Sequence, residues 1–221
     1  SSAETSPAQK KSCLNCHPQI AKGRNIHPAV NLGCEVCHSA AGEKEHHKNG
    51  GRMRLWNDMP ALCFKCHKES EFTGQDIHPP VAKGMCDTCH DPHHSDHRDL
   101  LKDEPLELCF KCHAKEKYTR KYVHKVALGG CGARCHDPHS SDYPRLLSAQ
   151  VGDMCIGCHR LQQSGMHIVA LPGGRVHPIS GVADPKNRKK EMNCVSCHNP
   201  HSSNYERLFT TKRKCVRCHK Y

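Results

Sequence analysis

Every cysteine in this chain belongs to a pair that is followed directly by a histidine. The 18 cysteines form nine pairs; eight have two residues between the cysteines, and the sixth, in the segment CGARCH, has three. In chain order the pairs are Cys13/Cys16, Cys34/Cys37, Cys63/Cys66, Cys86/Cys89, Cys109/Cys112, Cys131/Cys135, Cys155/Cys158, Cys194/Cys197 and Cys215/Cys218. The histidines that follow them are His17, His38, His67, His90, His113, His136, His159, His198 and His219. Each motif thus combines two nucleophilic thiols with a metal-binding imidazole.

This pattern is the attachment signature of c-type haem. The two thiols add to the vinyl groups of the porphyrin, and the adjacent histidine becomes the proximal ligand of the iron. Zinc ribbons and disulfide frameworks also use paired cysteines, but neither explains a histidine after every second cysteine. The sequence therefore predicts nine covalently bound haem c groups. The CGARCH site is included, because its longer gap still lets both thiols reach their vinyl carbons.

Nine irons need nine distal ligands, and twelve histidines lie outside the motifs. Seven of them recur at equivalent positions of an internal repeat, which is not expected of solvated side chains. These seven are His27, His78, His93, His124, His139, His177 and His201. One of His46 and His47 fills a vacant position of the repeat, and His167 is the best remaining candidate.

Two histidines on every iron would leave no coordination position for a substrate. Such ligation favours low reduction potentials and predicts an electron-transfer protein rather than an enzyme, with no catalytic residue. Met59, Met85 and Met154 lie near motifs and are alternative ligands, although packing is the favoured interpretation of each.

The composition indicates a fold without an ordinary hydrophobic core. Hydrophobic residues are 36% and aromatic residues 5% of the chain, which also has 14 prolines and 16 glycines. Prolines and glycines at this frequency interrupt long helices and sheets. We expect mostly coil with short α-helices, little or no sheet, and an elongated molecule whose core is a chain of nine c-type haems. The apoprotein should not fold.

The repeating unit is a doublet of haem motifs. A first motif is followed by a His-Pro-like element, a second motif and an Asp-Pro-His element. The repeat predicts an N-terminal two-haem module at residues 1–58, two doublets with four haems at 59–150, and a three-haem module at 151–221. These modules form one continuous array rather than independent domains, and the haems at Cys13 and Cys215 should be terminal.

The charge of the chain argues against a nucleic-acid partner. The formal net charge is +11, but the propionates of nine haems would add about −18 and bring the total to roughly −7. Lysines and arginines are therefore interpreted as propionate partners and solvating surface. The basic run at 186–190 is interpreted as a solvated loop rather than a docking site for an acidic partner.

The expected location is periplasmic or extracellular. We expect no transmembrane segment, because no stretch approaches the roughly 20 apolar residues that a membrane span needs. Covalent haem c is installed outside the cytoplasmic membrane, so a signal peptide is expected to have been removed before Ser1.

The segments LCFKCH, IHPPV, CDTCHDPH and LL resemble the doubled-CXXCH multihaem cytochromes. The resemblance is closest to periplasmic decahaem subunits of outer-membrane electron conduits and to extracellular multihaem cytochromes of metal-reducing bacteria. It covers residues 62–159 well and 194–219 partly. It implies a wire of closely spaced haems that passes electrons by tunnelling between donor and acceptor proteins.

The sequence is compatible with three functions. The leading one is a periplasmic or outer-membrane conduit carrier. The second is a subunit of an extracellular cytochrome filament, which would self-associate through its terminal haems. The third is a multihaem reductase with one open haem.

Overall fold

The computed structural model describes residues 13–39, 53–163, 167, 173, 176–212, 216 and 219. Within these residues the chain forms very short elements joined by coil. The α-helices are α1 Pro28–Leu32, α2 Pro79–Ala82, α3 Pro105–Phe110, α4 Val151–Ile156 and α5 Arg160–Gln163. The strands are β1 Asn25–Ile26, β2 Asp76–Ile77, β3 His94–Ser95, β4 Tyr122–Val123, β5 Ser140–Ser141, β6 Ala183–Asp184, β7 Asn187–Glu191 and β8 Ser202–Ser203.

Single turns of 3₁₀-helix hold most attachment motifs and the connections between them. Their bounds are Cys13–Asn15, Pro18–Ala21, Cys34–Val36, Cys63–Lys65, Glu69–Phe72, Cys86–Thr88, Arg98–Leu100, Lys115–Lys117, Lys125–Gly129, Cys131–Ala133, Pro144–Leu146, Cys194–Ser196 and Glu206–Leu208. In seven of the motifs the histidine N–H donates to the carbonyl of the first cysteine at 2.9–3.1 Å. This bond places both thiols and the imidazole on one tight turn, as the motif predicts.

Three small antiparallel sheets join distant parts of the repeat. They pair β1 with β3, β2 with β5, and β4 with β8. In each sheet, the strand before His27, His78 or His124 pairs with the strand that follows an Asp-Pro-His or Asn-Pro-His element. A fourth sheet is the local hairpin of β6 and β7. Mostly coil with short helices is confirmed, but the chain contains more sheet than predicted, because the residues beside the repeated histidines pair through their backbones.

The described residues form two compact units. The first comprises the described residues within 1–68 and 82–104, and the second those within 69–81 and 105–221. The sheet of β1 and β3 lies in the first unit, and the other three sheets lie in the second. The three-module division at 1–58, 59–150 and 151–221 stays a prediction.

The described residues contain almost no apolar core. Met192, at 7% exposure, is the one buried hydrophobic side chain among them. The other buried side chains are serines: Ser39, Ser95, Ser140, Ser202 and Ser203. The hydroxyls of the last four donate to backbone carbonyls. A chain of this size normally buries many aliphatic side chains. The polypeptide therefore needs another source of apolar contact in order to hold its shape.

In the parts of the chain that are described, no helix is long and apolar enough to cross a membrane.

Candidate haem-binding sites

The histidines of the described chain face one another in pairs. Each pair combines a histidine of an attachment motif with a histidine from outside the motifs, and the ring centroids lie 6.0–6.2 Å apart. The pairs are His27–His67, His38–His93, His78–His113, His124–His159, His136–His201 and His177–His219. Six of the seven recurring histidines are thus each brought to a motif histidine.

The ring separation fits a metal ion between the two rings. A metal–imidazole bond is about 2.0 Å long and the ring centroid lies about 1.1 Å beyond the nitrogen, so two imidazoles on one metal have centroids about 6.2 Å apart. Rings in direct van der Waals contact would lie closer, at about 3.5–4.0 Å between carbon atoms. Among the described residues, no three His, Cys, Asp or Glu side chains converge as in a zinc site. The donor set is therefore two facing imidazoles beside a pair of thiols, which is what haem c requires.

Hydrogen bonds at Nδ1 leave Nε2 as the metal-binding nitrogen. His78 donates from Nδ1 to the carbonyl of Pro138, and His124 donates to that of Pro200, both at 3.0 Å. His27 likewise bonds the backbone of Pro92. A backbone partner at Nδ1 fixes the tautomer and the orientation of a ligand imidazole. The proline of each Asp-Pro-His or Asn-Pro-His element thus positions a histidine of another doublet.

Backbone pairing also brings the non-motif histidines together in twos. The N–H of His27 donates to the carbonyl of His93 at 2.8 Å, and that of His124 to His201 at 2.9 Å. His78 bonds His139 in the same way at 3.0 Å. The two histidines of each set come from different doublets. In two of these sets, both histidines face motif histidines. His27 faces a motif of the doublet that contains His93, and His93 faces a motif of the doublet that contains His27. The same exchange relates His124 and His201.

The remaining predicted ligands have different surroundings. The ring of His139 packs edge-on against Phe72 with centroids 5.1 Å apart, and its Nδ1 lies 3.9 Å from the Asp137 carboxylate. Burial lowers the pKa of His167, and the nearby His198 lowers it further. Cys215 and Cys218 lie outside the described residues, as do His46 and His47. Met154 accepts a hydrogen bond from Ser148 at its sulphur, and Met85 is exposed.

Burial favours the neutral, metal-binding form of several non-motif histidines. Desolvation is the largest cause of a lowered pKa at His27, His93 and His201. A neighbouring motif histidine lowers the pKa further at all three positions. Because a metal binds the unprotonated imidazole, these surroundings suit an axial ligand.

The first cysteines of successive motifs lie side by side. Their thiols are close enough to interact in four pairs, namely Cys13–Cys34, Cys63–Cys86, Cys109–Cys131 and Cys155–Cys194. The neighbouring Cys155 thiol lowers the pKa of Cys194 to about 6. Second cysteines also come close enough to interact electrostatically, at Cys37–Cys66 and Cys135–Cys158. The sulphur atoms that would carry two successive haems are therefore neighbours in space.

Cys16 and Cys112 are two of the second cysteines that do not belong to these pairs. Both are exposed. The reason is local: each closes a single turn, with its N–H donating to the carbonyl of Cys13 or Cys109 at 3.2 Å, and little other polypeptide covers it. The exposed motif cysteines of the described chain are Cys13, Cys16, Cys66, Cys112 and Cys158. Haem attachment at Cys16 and Cys112 stays a prediction.

Each second motif of the later doublets has a carbonyl partner for its histidine. His90 Nδ1 donates to the carbonyl of Asp99 at 2.7 Å, and His136 Nδ1 to that of Arg145 at 2.9 Å. His198 Nδ1 donates to Arg207 at 2.7 Å. Sequence reasoning missed these partners. The available signal was a constant spacing of nine residues between each histidine and its partner.

A comparison with family models matches the doubled CXXCH motif four times, at residues 27–72, 78–118, 124–163 and 187–221. These ranges cover most of the chain and contain parts of all four doublets. A comparison with curated proteins found no match.

Proposed function

The chain belongs to the doubled CXXCH motif family and is a multihaem c-type cytochrome of electron transfer, and on this premise we propose that it carries nine haems and conducts electrons between redox partner proteins. Its haem c groups are bound covalently through the CXXCH motifs. Counting CGARCH among the motifs gives the proposed number of nine.

The facing histidine pairs carry the proposal. Each pair supplies two axial ligands to one iron, so the haem at Cys63 is ligated by His67 and His27. The haem at Cys34 is ligated by His38 and His93. Neighbouring doublets therefore exchange distal histidines, and each iron links two distant segments of a chain with little apolar core. The exchange explains why the repeat places its histidines beside short paired strands.

Because each iron has two histidine ligands, the protein acts as an electron carrier. No axial position stays open for a substrate, and bis-imidazole ligation favours a low reduction potential. The family supports this assignment because its multihaem cytochromes generally transfer electrons. A catalytic haem is therefore the weaker alternative.

The adjacent cysteines support a wire within each unit. In the first unit, contacts between Cys13 and Cys34, Cys37 and Cys66, and Cys63 and Cys86 connect four successive motifs. In the second unit, the same kinds of contact connect the motifs from Cys109 to Cys197. Haems attached there would have neighbouring edges, and electrons could pass by tunnelling without a diffusing cofactor.

The proposed location is outside the cytoplasmic membrane, where haem c is attached. There the protein would serve as a periplasmic or conduit carrier between a donor and an acceptor protein. Self-association into a filament is not part of this proposal. The terminal position of the haems at Cys13 and Cys215 stays a prediction.

Intact mass spectrometry tests the haem count. The purified holoprotein should exceed the polypeptide mass by nine haems, and the variant Cys131→Ala/Cys135→Ala should exceed its own polypeptide mass by one haem fewer. A parent mass with eight haems and an unchanged count in the variant would contradict loading of the CGARCH site.

Optical spectroscopy tests the ligation. We expect a low-spin spectrum in both oxidation states and no carbon monoxide binding to the native reduced protein. Rapid carbon monoxide uptake, or a substantial high-spin fraction, would expose an open iron and favour the reductase.

A further inference from the structure

Three of the doublets contain the same unusual turn. Two consecutive residues adopt positive φ angles at Asp99 and Leu100 (55° and 57°), at Arg145 and Leu146 (63° and 57°), and at Arg207 and Leu208 (53° and 58°). Such a pair of angles is typical of type I′ turns, which strongly prefer asparagine, aspartate and glycine. Of these six residues only Asp99 is of a preferred type, and the arginines and leucines are not. A conformation that is unfavourable for its residues persists only where the surroundings impose it, and it marks a candidate functional site.

The surroundings of the turn do impose it. At the first of these turns, the N–H of Asp91 donates to the carbonyl of Leu100 at 2.8 Å, and the N–H of Lys102 donates to that of Cys89 at 2.9 Å. The buried hydroxyl of Ser95 donates to the carbonyl of Leu101 and accepts from the N–H of His97 at 2.9 Å. Equivalent bonds surround the other two turns. The turn is thus held from both sides.

The three turns share a backbone carbonyl rather than a side chain. The first positive-φ residue is aspartate in one copy and arginine in the other two. The Asp99 side chain is 74% exposed. In every copy the carbonyl of this residue accepts a hydrogen bond from Nδ1 of the motif histidine at 2.7–2.9 Å. The turn therefore serves to place an acceptor on the proximal imidazole.

The first doublet has the same frame without the turn. His38 bridges to Leu55 as His90 bridges to Leu101. The N–H of Ser39 donates to the carbonyl of Arg54 at 2.8 Å, as that of Asp91 does to Leu100. Met53 and Arg54 thus stand where Asp99 and Leu100 stand.

Arg54, in the position of Leu100, does not have a positive φ angle. The Nδ1 atom of His38 is buried and has no hydrogen-bond partner within the described part of the chain.

We propose that these turns tune the reduction potentials of individual haems, an inference that rests on the proposed haem binding. A carbonyl that accepts from Nδ1 makes the imidazole a stronger donor to iron, which stabilises the ferric state and lowers the potential. The haems attached at Cys86, Cys131 and Cys194 have this partner. The haem at Cys34 lacks it and has a higher potential than they do.

A matched pair of variants at Asp99 tests the proposal. Asp99→Val disfavours the positive φ angle because valine is β-branched, whereas Asp99→Gly tolerates it. Both variants lose the same exposed carboxylate, so its charge does not separate them. In spectroelectrochemical titration of the holoprotein, Asp99→Val should move the absorbance of one haem to a higher potential. Asp99→Gly should titrate like the parent, and both should stay low-spin.

A gain of the turn in the first doublet provides the reverse test. In Met53→Asn/Arg54→Gly, the Asn-Gly pair favours two consecutive positive φ angles. One haem should then titrate at a lower potential than in the parent. This variant leaves Asp99 unchanged, so it still tests the tuning role if Asp99→Val does not fold.

Three outcomes would overturn the tuning role. The first is an unchanged titration of Asp99→Val and of Met53→Asn/Arg54→Gly, with both proteins low-spin. The second is an equal shift in Asp99→Val and Asp99→Gly. The third is a high-spin haem in Asp99→Val, which would make the turn a positioning device for the ligand. A parent protein without the haem c spectrum would instead contradict the proposed function.

Discussion

His124 and His177 occupy the same position of the repeat but have different neighbours. His124 follows strand β4, which pairs with β8, and its Nδ1 donates to the carbonyl of Pro200, 76 residues away. His177 Nδ1 bonds the carbonyl of Pro178, its own neighbour in the chain. The ring of His124 is tilted 28° from that of His159, whereas His177 and His219 are at 82°.

This difference shows what the long-range strand contributes. The strand and the proline carbonyl hold His124 at two points, its backbone and its Nδ1, and so fix the plane of the ring. The ring of His177 is held by a local bond. The other facing pairs, which lie at 9–23°, resemble the His124 pair. Pairing between doublets thus aligns the two imidazole planes, and a distal histidine positioned locally adopts another angle.

Removal of a distal histidine should have the largest effect. His124→Ala should create one high-spin haem and lower the free energy of unfolding by about 3 kcal/mol, comparable to losing a cross-link that closes a loop of this length. His78→Ala and His177→Ala should each also produce one high-spin haem. Optical spectra and denaturant unfolding of the holoproteins measure both effects.

The control for these variants is His97→Ala. His97 lies outside the recurring positions, and its Nδ1 is 3.3 Å from the Glu104 carboxylate. Its replacement should leave every haem low-spin and cost less than about 1 kcal/mol. A high-spin haem in this variant alone would contradict the assignment of the repeat histidines.

The angle between the imidazole planes should be visible by electron paramagnetic resonance. Perpendicular planes leave two iron d orbitals nearly equal in energy, which gives a strongly anisotropic low-spin ferric signal; parallel planes separate these orbitals. The His177–His219 haem should give the anisotropic signal. It should disappear in His177→Ala and persist in His124→Ala. Its persistence in both variants would assign the signal to another haem.

The sequence was sufficient for the family, for coil with short helices and for the set of recurring histidines. Recurrence picks out His27 and His93, but it cannot tell which motif each one faces. That pairing depends on strands of two residues joined across the repeat, and such short segments carry no periodicity of their own. The carbonyl turns escaped prediction for a different reason: arginine and leucine, which make up five of their six positive-φ residues, do not ordinarily adopt such angles.

The strand that positions His124 should depend on one buried serine. The hydroxyl of Ser202 is fully buried, donates to the carbonyl of Lys117 at 2.9 Å and accepts from the N–H of Arg120 at 3.2 Å. Ser202→Ala leaves both backbone groups unpaired and should cost about 1–2 kcal/mol in the free energy of unfolding. Ser148→Ala is the control, because its exposed hydroxyl bonds the carbonyl of Arg134 where water can replace it. Equal losses in the two variants would mean that β8 does not depend on this buried contact.

The smallest expected effect concerns the local hairpin that precedes the Cys194 motif. The carboxylate of Asp184 accepts hydrogen bonds from the hydroxyl of Ser196 at 2.6 Å and from the N–H of Lys186 at 2.8 Å. These bonds, led by that of Ser196, hold the pKa of Asp184 below its ordinary value of 3.8. The carboxylate therefore adds stability above pH 3.8 that is lost as the pH falls through the lower pKa of the folded protein.

Asp184→Asn tests whether this hairpin is anchored to the haem motif through charge. It should lower the free energy of unfolding at neutral pH by less than about 1 kcal/mol, and the difference from the parent should shrink as the pH falls below 3.8. In a Ser196→Ala background the substitution should cost less, because the largest contact of the carboxylate is already gone. Denaturant unfolding at several pH values measures both differences. If the loss of unfolding free energy is independent of pH and equal in both backgrounds, Ser196 and Asp184 are not coupled. The hairpin before the Cys194 motif is then held by its backbone alone.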